Sequence, residues 1–238
     1  MDDFEEMMKD RSATAARPLL GLTLLVVEDS RFACEAMRLL CLRSGARIRR
    51  ADCLASARKH LRVYRPSVVV VDLGLPDGSG ADLIFELAHN TPRIDVILGI
   101  SGDTDRQAEA MAAGADGFLA KPIESLGMFQ QTILSHLPDT AQPLGPRVVP
   151  DDAIIPDPIA FREDIAHVAD VLQARPDGKM LDYVAQFTSG IARSAHDAPL
   201  EAAAVALAKD RANGTPVSRD VQRLSGMFEE RLAKHSAV

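Results

Sequence analysis

The sequence predicts a doubly wound α/β domain built on a five-stranded parallel sheet, followed by a small all-helical domain. Three observations lead there. Up to residue 138, short apolar runs rich in β-branched residues alternate five times with segments of helical periodicity. Parallel neighbours need a crossover, usually a helix, so this alternation signals a parallel sheet covered on both faces. Prolines then recur through PDTAQPLGPRVVPDDAIIPDP, residues 138–158, too densely for a helix or a central strand. Beyond that stretch the apolar spacing is helical throughout.

The elements come in order. Leu22 to Val27 is the first apolar run, and Phe32, Ala36 and Leu40, four apart, mark a helix after it. A weaker run surrounds Ile48. Val68 to Val71 is the third strand, with Leu83 and Leu87 on the helix behind it. Ile94 to Ile100 and Gly117 to Ala120 complete the set of strands. Leu126, Ile133 and Leu137 share a helical face after Pro122.

In the second part, Phe161, Ile165, Val168 and Leu172 form one helical face, and Met180, Val184, Phe187 and Ile191 another. Leu200 to Ala212 is an alanine-rich helix, and Val217, Val221, Leu224, Phe228 and Leu232 form the last face. RPDG, HDAP and NGTP separate them. Asn213-Gly214 is expected to end one helix, with Thr215 capping the next and Pro216 at its first position. The expected organisation is an N-terminal tail over 1–19, an α/β domain over 20–138, a Pro-rich linker over 139–158 and a helical domain over 159–238.

Composition narrows the function classes. Hydrophobic residues make up 47% and charged residues 26% of the 238, the profile of a globular chain rather than a disordered one. The start, MDDFEEMMKDR, is acidic where a secretory signal is basic, and no apolar segment reaches the roughly 18 residues of a membrane span. A cytoplasmic location without membrane association is expected. The net charge of −7 disfavours bulk affinity for nucleic acid. Cys34, Cys41 and Cys53 lack metal or redox spacing and read as core residues.

The candidate site is assembled from the residues at the strand ends. In a parallel doubly wound sheet, residues just past the carboxyl ends converge on one edge. Glu28-Asp29 come after the first run, Asp72 after the third, Ser101 after the fourth and Lys121-Pro122 after the fifth. Clustered carboxylates repel one another, and a hard divalent cation compensates best. Oxygen ligands without His or Cys suit Mg²⁺ rather than zinc. With the metal in place Asp72 is a candidate nucleophile toward phosphorus, while Lys121 and Ser101 suit the phosphoryl oxygens.

Across residues 20–138 these features resemble the receiver domains of two-component response regulators. The motifs are Glu28-Asp29, Asp72 with the loop LPDGSG, Ser101, Phe118 and Lys121-Pro122. The resemblance implies a flavodoxin-like sheet of order 2-1-3-4-5 and a phosphorelay role. It implies Asp72 as phosphoacceptor, with Lys121 and Ser101 in the catalytic set and Ser101 and Phe118 as switch residues. Mg²⁺ would sit among Glu28 or Asp29, Asp72 and the Gly74 carbonyl. A sensor histidine kinase or a histidine phosphotransfer protein would be the donor. Two positions depart from the family's habit: Gly74 leaves no side chain over the phosphate, and Gly102 stands after Ser101 where alanine is usual.

For the output, a protein-interaction or dimerisation module is the favoured reading, with a homodimer admitted, DNA disfavoured and no separate enzymatic activity expected. Residues 151–238 carry 10 Lys and Arg against 14 Asp and Glu, a balance of −4, and Asp220, Glu229 and Glu230 interrupt the basic residues Arg219, Arg223, Arg231 and Lys234 of a would-be recognition helix. A transcriptional regulator with a divergent helix-turn-helix is the first alternative. A phosphotransfer bundle would need an exposed helical histidine, and His167 and His196 are the options. An aspartate-nucleophile phosphatase of the haloacid-dehalogenase kind would want a second aspartate where Gly74 stands.

Overall fold

The computed structural model describes residues 13–138, 143, 154–174 and 176–234. Most of the expected linker, residues 139–142 and 144–153, and the first 12 residues of the expected tail lie outside the described set. Two compact units divide the chain: one ends at Ile155, the other begins at Pro156, and Ser30–Glu35 group with the second.

The first unit runs β1 (Thr23–Val27), α1 (Arg31–Ser44), β2 (Arg47–Ala51), α2 (Leu54–Val63), β3 (Val68–Asp72), β4 (Gly74–Leu75), β5 (Gly78–Ser79), α3 (Gly80–His89), β6 (Val96–Ser101), α4 (Gln107–Ala112), β7 (Gly117–Ala120) and α5 (Leu126–Leu134). A 3₁₀ turn over Thr104–Arg106 leads into α4. The main sheet has order β2-β1-β3-β6-β7, all parallel. Counting its five strands alone, this is the doubly wound order 2-1-3-4-5. The small antiparallel hairpin β4–β5 lies between the third strand and its helix.

The run of four valines in β3 has a direct cause. Val68 and Val70 enter one core with Met37, Leu40 and Cys41 of α1 and Phe129 and Ile133 of α5. Val69 and Val71 enter the opposite core with Leu54 and Ala57 of α2, Leu83 and Ile84 of α3 and Ala110 of α4. Side chains alternate across a strand, so a central parallel strand needs apolar residues at every position. All four are fully buried, worth about 1.5–3 kcal/mol each by transfer. At the outer edge, β2 pairs only with β1, and its Arg47, Arg49 and Arg50 are exposed.

Three sequence expectations change in detail. The run expected as a strand from Ile94 begins at Val96, because the ladder starts where Val96 pairs with Val68. Ile94 is buried ahead of it. Asp72 and Ser101 are the last residues of their strands rather than the first beyond them. Cys34 and Cys41 are buried as expected, whereas Cys53 is only half-buried, just ahead of α2.

The second unit carries α6 (Pro158–Gln173), α7 (Gly178–Ser194), α8 (Ala198–Ala212) and α9 (Ser218–Lys234). Asp157, Asp177 and Asp197 cap the first three, each accepting from a backbone N–H in the first turn. The apolar faces read from the sequence meet one another: Ile165, Val168, Leu172, Val184, Phe187, Ile191, Leu224 and Phe228 form one core with Leu200 and Leu207. They are largely used internally, and among the described residues the large apolar side chains that stand exposed on these helices are Ile159 and Val205. Ser30 and the first turn of α1, through Glu35, group with this unit, and there the buried Asp164 carboxylate accepts from Ser30 Oγ at 2.7 Å and from the N–H groups of Arg31 at 2.8 Å and Phe32 at 3.0 Å.

The junction at NGTP differs from expectation. Gly214, at φ 69°, ends α8, and Thr215 turns back to it, both its N–H and its hydroxyl donating to the Asp210 carbonyl. Thr215 is thus spent on the preceding helix, and α9 starts at Ser218, beyond Pro216. The positive φ that glycine permits draws the next residue onto the open carbonyls of the last turn.

Candidate functional site

Parallel register brings the candidate residues together. Val27 lies opposite Val71, Asp72 opposite Ile100 and Ser101 opposite Ala120. The four strands therefore end level with one another, and Glu28-Asp29, Asp72, Ser101 and Lys121 all fall at that edge. Ligand atoms of Glu28, Asp29 and Asp72 lie within 4.8 Å of one another. Glu28 and Asp72 are buried, Asp29 half-buried.

Lys121 closes the cluster. Its Nζ lies 2.5 Å from Glu28 Oε2 and 2.9 Å from Asp72 Oδ2, and its side chain is only 10% exposed. The N–H of Lys121 donates to the Ser101 carbonyl at 2.9 Å, which fixes the start of the loop after β7. The Lys121-Pro122 peptide is cis.

Electrostatics result from this crowding. Burial pushes the Glu28 carboxyl well above the ordinary carboxylate range; Lys121 opposes the rise, and Asp72 and Asp29 add to it. Burial works against the Lys121 ammonium too, but the charges of Asp72 and Glu28 outweigh it and hold its pKa up. Three carboxyl groups share one ammonium, so negative charge stays in excess even while Glu28 holds its proton. An all-oxygen donor set with that excess fits a hard divalent cation, and the residues that could hold one are Glu28, Asp29 and Asp72.

Residues 24–132 match the family model described as the response regulator receiver domain. That segment is a response regulator receiver domain. The KDP operon transcriptional regulatory protein KdpE of Escherichia coli is 30% identical over 98 residues, covering 41% of this chain and 44% of that protein. The transcriptional regulatory protein KdpE of Mycobacterium tuberculosis is 32% identical over 98 residues, 41% of this chain and 43% of that one. The chain spans about half the length of the curated relatives it matches. Among solved structures, the chemotaxis response regulator CheY4 of Vibrio cholerae aligns with a TM-score of 0.44 at 21% identity, over 49% of this chain and 98% of that one.

Within the receiver domain, Ser101 is buried, and its Oγ accepts from the Asp103 N–H at 3.1 Å. Phe118 is half-buried on β7, opposite Gly99. A Cβ at Gly99 would lie 3.4 Å from the Phe118 ring and 2.7 Å from Ala110 Cβ, so the missing side chain gives the ring and α4 their room. Gly74 donates its N–H to Asp72 Oδ1 at 3.3 Å. No second carboxylate stands there, which removes the feature that a haloacid-dehalogenase reading needs.

Sequence reasoning passed over Asp77, inside the LPDGSG loop. Its two carboxylate oxygens accept from the N–H groups of Leu54 at 2.8 Å and Ala55 at 3.0 Å, across to α2. The missed signal was Cys53, a weak capping residue where α2 has to start.

In the helical unit, His196 sits in the α7–α8 turn at φ 55°, not on a helix, while His167 is exposed on α6. Among the basic residues, Arg193 pairs with Glu201, Arg211 with Asp182 and Arg231 with Asp197, each at 2.8 Å or less.

Proposed function

We propose that the chain is a response regulator of a two-component phosphorelay, taking a phosphoryl group onto Asp72 from a sensor histidine kinase or a histidine phosphotransfer protein. The supporting observation is the Lys121 ammonium joined to two buried carboxylates, with a third close enough to share a cation. In the transfer, an Asp72 oxygen forms a bond to phosphorus as the bond from phosphorus to the donor nitrogen breaks, giving an acyl phosphate and a neutral imidazole once a proton is taken up. Hydrolysis consumes one water and returns the carboxylate and inorganic phosphate.

Mg²⁺ held by Glu28, Asp29, Asp72 and the Gly74 carbonyl would supply charge neutralisation to the phosphoryl oxygens. The chain's own groups do the rest. Lys121 places a point charge beside the accepting oxygen. The Ser101 hydroxyl donates a hydrogen bond to a phosphoryl oxygen, and Phe118 follows it inward. Gly74 leaves the phosphoryl group open to water on that side.

For the output, the reading is a protein-interaction module, organised as residues 159–238 behind a linker over 139–158. A DNA output is the second reading, favoured by the transcriptional names of the relatives. Against it stand the −4 balance of residues 151–238 and the pairing of Arg231 with Asp197 at 2.6 Å, which withdraws a cation from the supposed recognition helix.

The experiment is labelling with a small phosphodonor or beryllofluoride in Mg²⁺. Wild type is modified and Asp72→Asn is not. Labelling that persists in Asp72→Asn, or that is unchanged in Asp29→Asn, overturns the assignment.

A further inference from the structure

The loop after Asp72 is short and doubly tied. Gly74 pairs with Ser79 and Leu75 with Gly78 in the β4–β5 hairpin. At its base the Gly80 N–H donates to the Leu73 carbonyl at 3.2 Å, and Ser79 Oγ caps α3 by accepting from the Ala81 N–H. At its tip Asp77 reaches across to the first turn of α2, with Oδ1 on Leu54 N–H and Oδ2 on Ala55 N–H.

Helix α2 depends on that reach. Cys53 has the extended backbone of a capping residue, φ −163° and ψ 168°, yet makes no side-chain cap. The first-turn N–H groups of a helix need acceptors, and a carboxylate there also meets the positive end of the dipole. Gly78 lets the hairpin come this close: a Cβ on it would lie 2.8 Å from Leu54 Cδ1, and its φ is 151°. The strand before α2 is itself tied to the acidic pair, since the Glu28 N–H donates to the Ala51 carbonyl at 2.9 Å.

We infer that Asp77 is a positioning residue for the metal subsite: by capping α2 from the neighbouring loop, it holds the β4–β5 hairpin so that Gly74 stays beside Asp72, one of the three clustered carboxylates. This rests on the proposed reading of that cluster as a Mg²⁺ site. Gly74 has no side chain of its own to fix its orientation. Its N–H bond to Asp72 Oδ1, at 3.3 Å, is long, and its pairing with Ser79 fixes it only within the hairpin, so the tether at the tip is what ties the hairpin itself to α2.

The test uses the full chain and Mg²⁺ alone as probe, read by calorimetric titration. Asp77→Ala is expected to weaken Mg²⁺ binding roughly tenfold, the scale seen when groups behind metal ligands are removed. Beryllofluoride labelling at saturating Mg²⁺ should still reach the wild-type extent. Asp77→Asn, which keeps one acceptor oxygen, should fall between. A second variant separates positioning from helix stability: Cys53→Ser in the Asp77→Ala background gives α2 a cap of its own without restoring the tether. Recovery of thermal stability in that double variant with Mg²⁺ binding still weak supports the inference. Recovery of both, or an unchanged Mg²⁺ affinity in Asp77→Ala, overturns it. A wild-type chain that takes up no Mg²⁺, or an Asp29→Asn chain that binds it as wild type does, would instead overturn the metal reading beneath it.

Discussion

The Lys121 ammonium lies 2.9 Å from Asp72 Oδ2, inside a site where carboxylates outnumber it three to one. Their mutual repulsion is a cost that the folded chain carries in the absence of a cation. Asp29→Asn removes one of those charges, the most accessible of the three. The expected result is a metal-free protein that unfolds at higher temperature than wild type, by about 1 kcal/mol of added stability, and that Mg²⁺ no longer stabilises. Thermal unfolding with and without Mg²⁺ checks both halves. A variant less stable than wild type would argue that attraction to Lys121 outweighs the repulsion.

The pH dependence of stability carries the same signature. Burial, opposed by Lys121 and aided by Asp72 and Asp29, raises Glu28 from 4.5 to about 8. A folded-state pKa above the unfolded one means that the folded chain holds a proton that the unfolded chain has already lost. Glu28 therefore contributes stability that is fully present below pH 4.5 and is lost as pH rises through about 8. Urea unfolding of the metal-free protein should show this decline, and Glu28→Gln should flatten it.

Two glycines make a matched pair. A Cβ at Gly80 would sit 1.9 Å from the Asp72 carbonyl oxygen, which is backbone and cannot swing away. Gly80→Ala is expected to cost about 3 kcal/mol or more through forced backbone shift. At Gly226, in the middle of α9, nothing lies within 4 Å of the same atom. Gly226→Ala should stabilise the chain by about 0.5–1 kcal/mol, since glycine is the poorer helix former. Chemical denaturation of the two variants should give shifts of opposite sign.

Thiol chemistry reports on the first unit. Burial pushes the Cys41 thiol up to about 12, and Cys34 is buried as well. Cys53 is the one of the three that is not buried, so a thiol reagent at neutral pH should modify Cys53 alone in the native chain and all three cysteines after unfolding. Rapid native labelling of Cys41 would contradict the packing of α1.

Much of the receiver fold was legible because each strand carries its own signal. The four valines of β3 announce burial on both faces, and the polar residues Glu28, Asp72, Ser101 and Lys121 each close an apolar run, so their convergence came from parallel topology alone. Relations between loops were not legible. Asp77 reads as an ordinary turn residue until α2 is seen to lack a cap, and that requires knowing which helix start lies beside which hairpin. Thr215 failed for a related reason. A threonine before a proline suits the start of the next helix and the end of the last one equally well, and the choice is made by a positive φ at Gly214 that sequence only permits.

The sheet's outer strand has one further consequence. An edge strand offers unpaired backbone groups to any extended chain that can lie alongside it. On β2 that margin is lined by Arg47, Arg49 and Arg50, so a second copy approaching in either direction would bring like charge against like at close range. Growth of the sheet by one molecule docking on another is thereby discouraged on this side, and self-association, where it occurs, has to find helix surface or the far margin at β7.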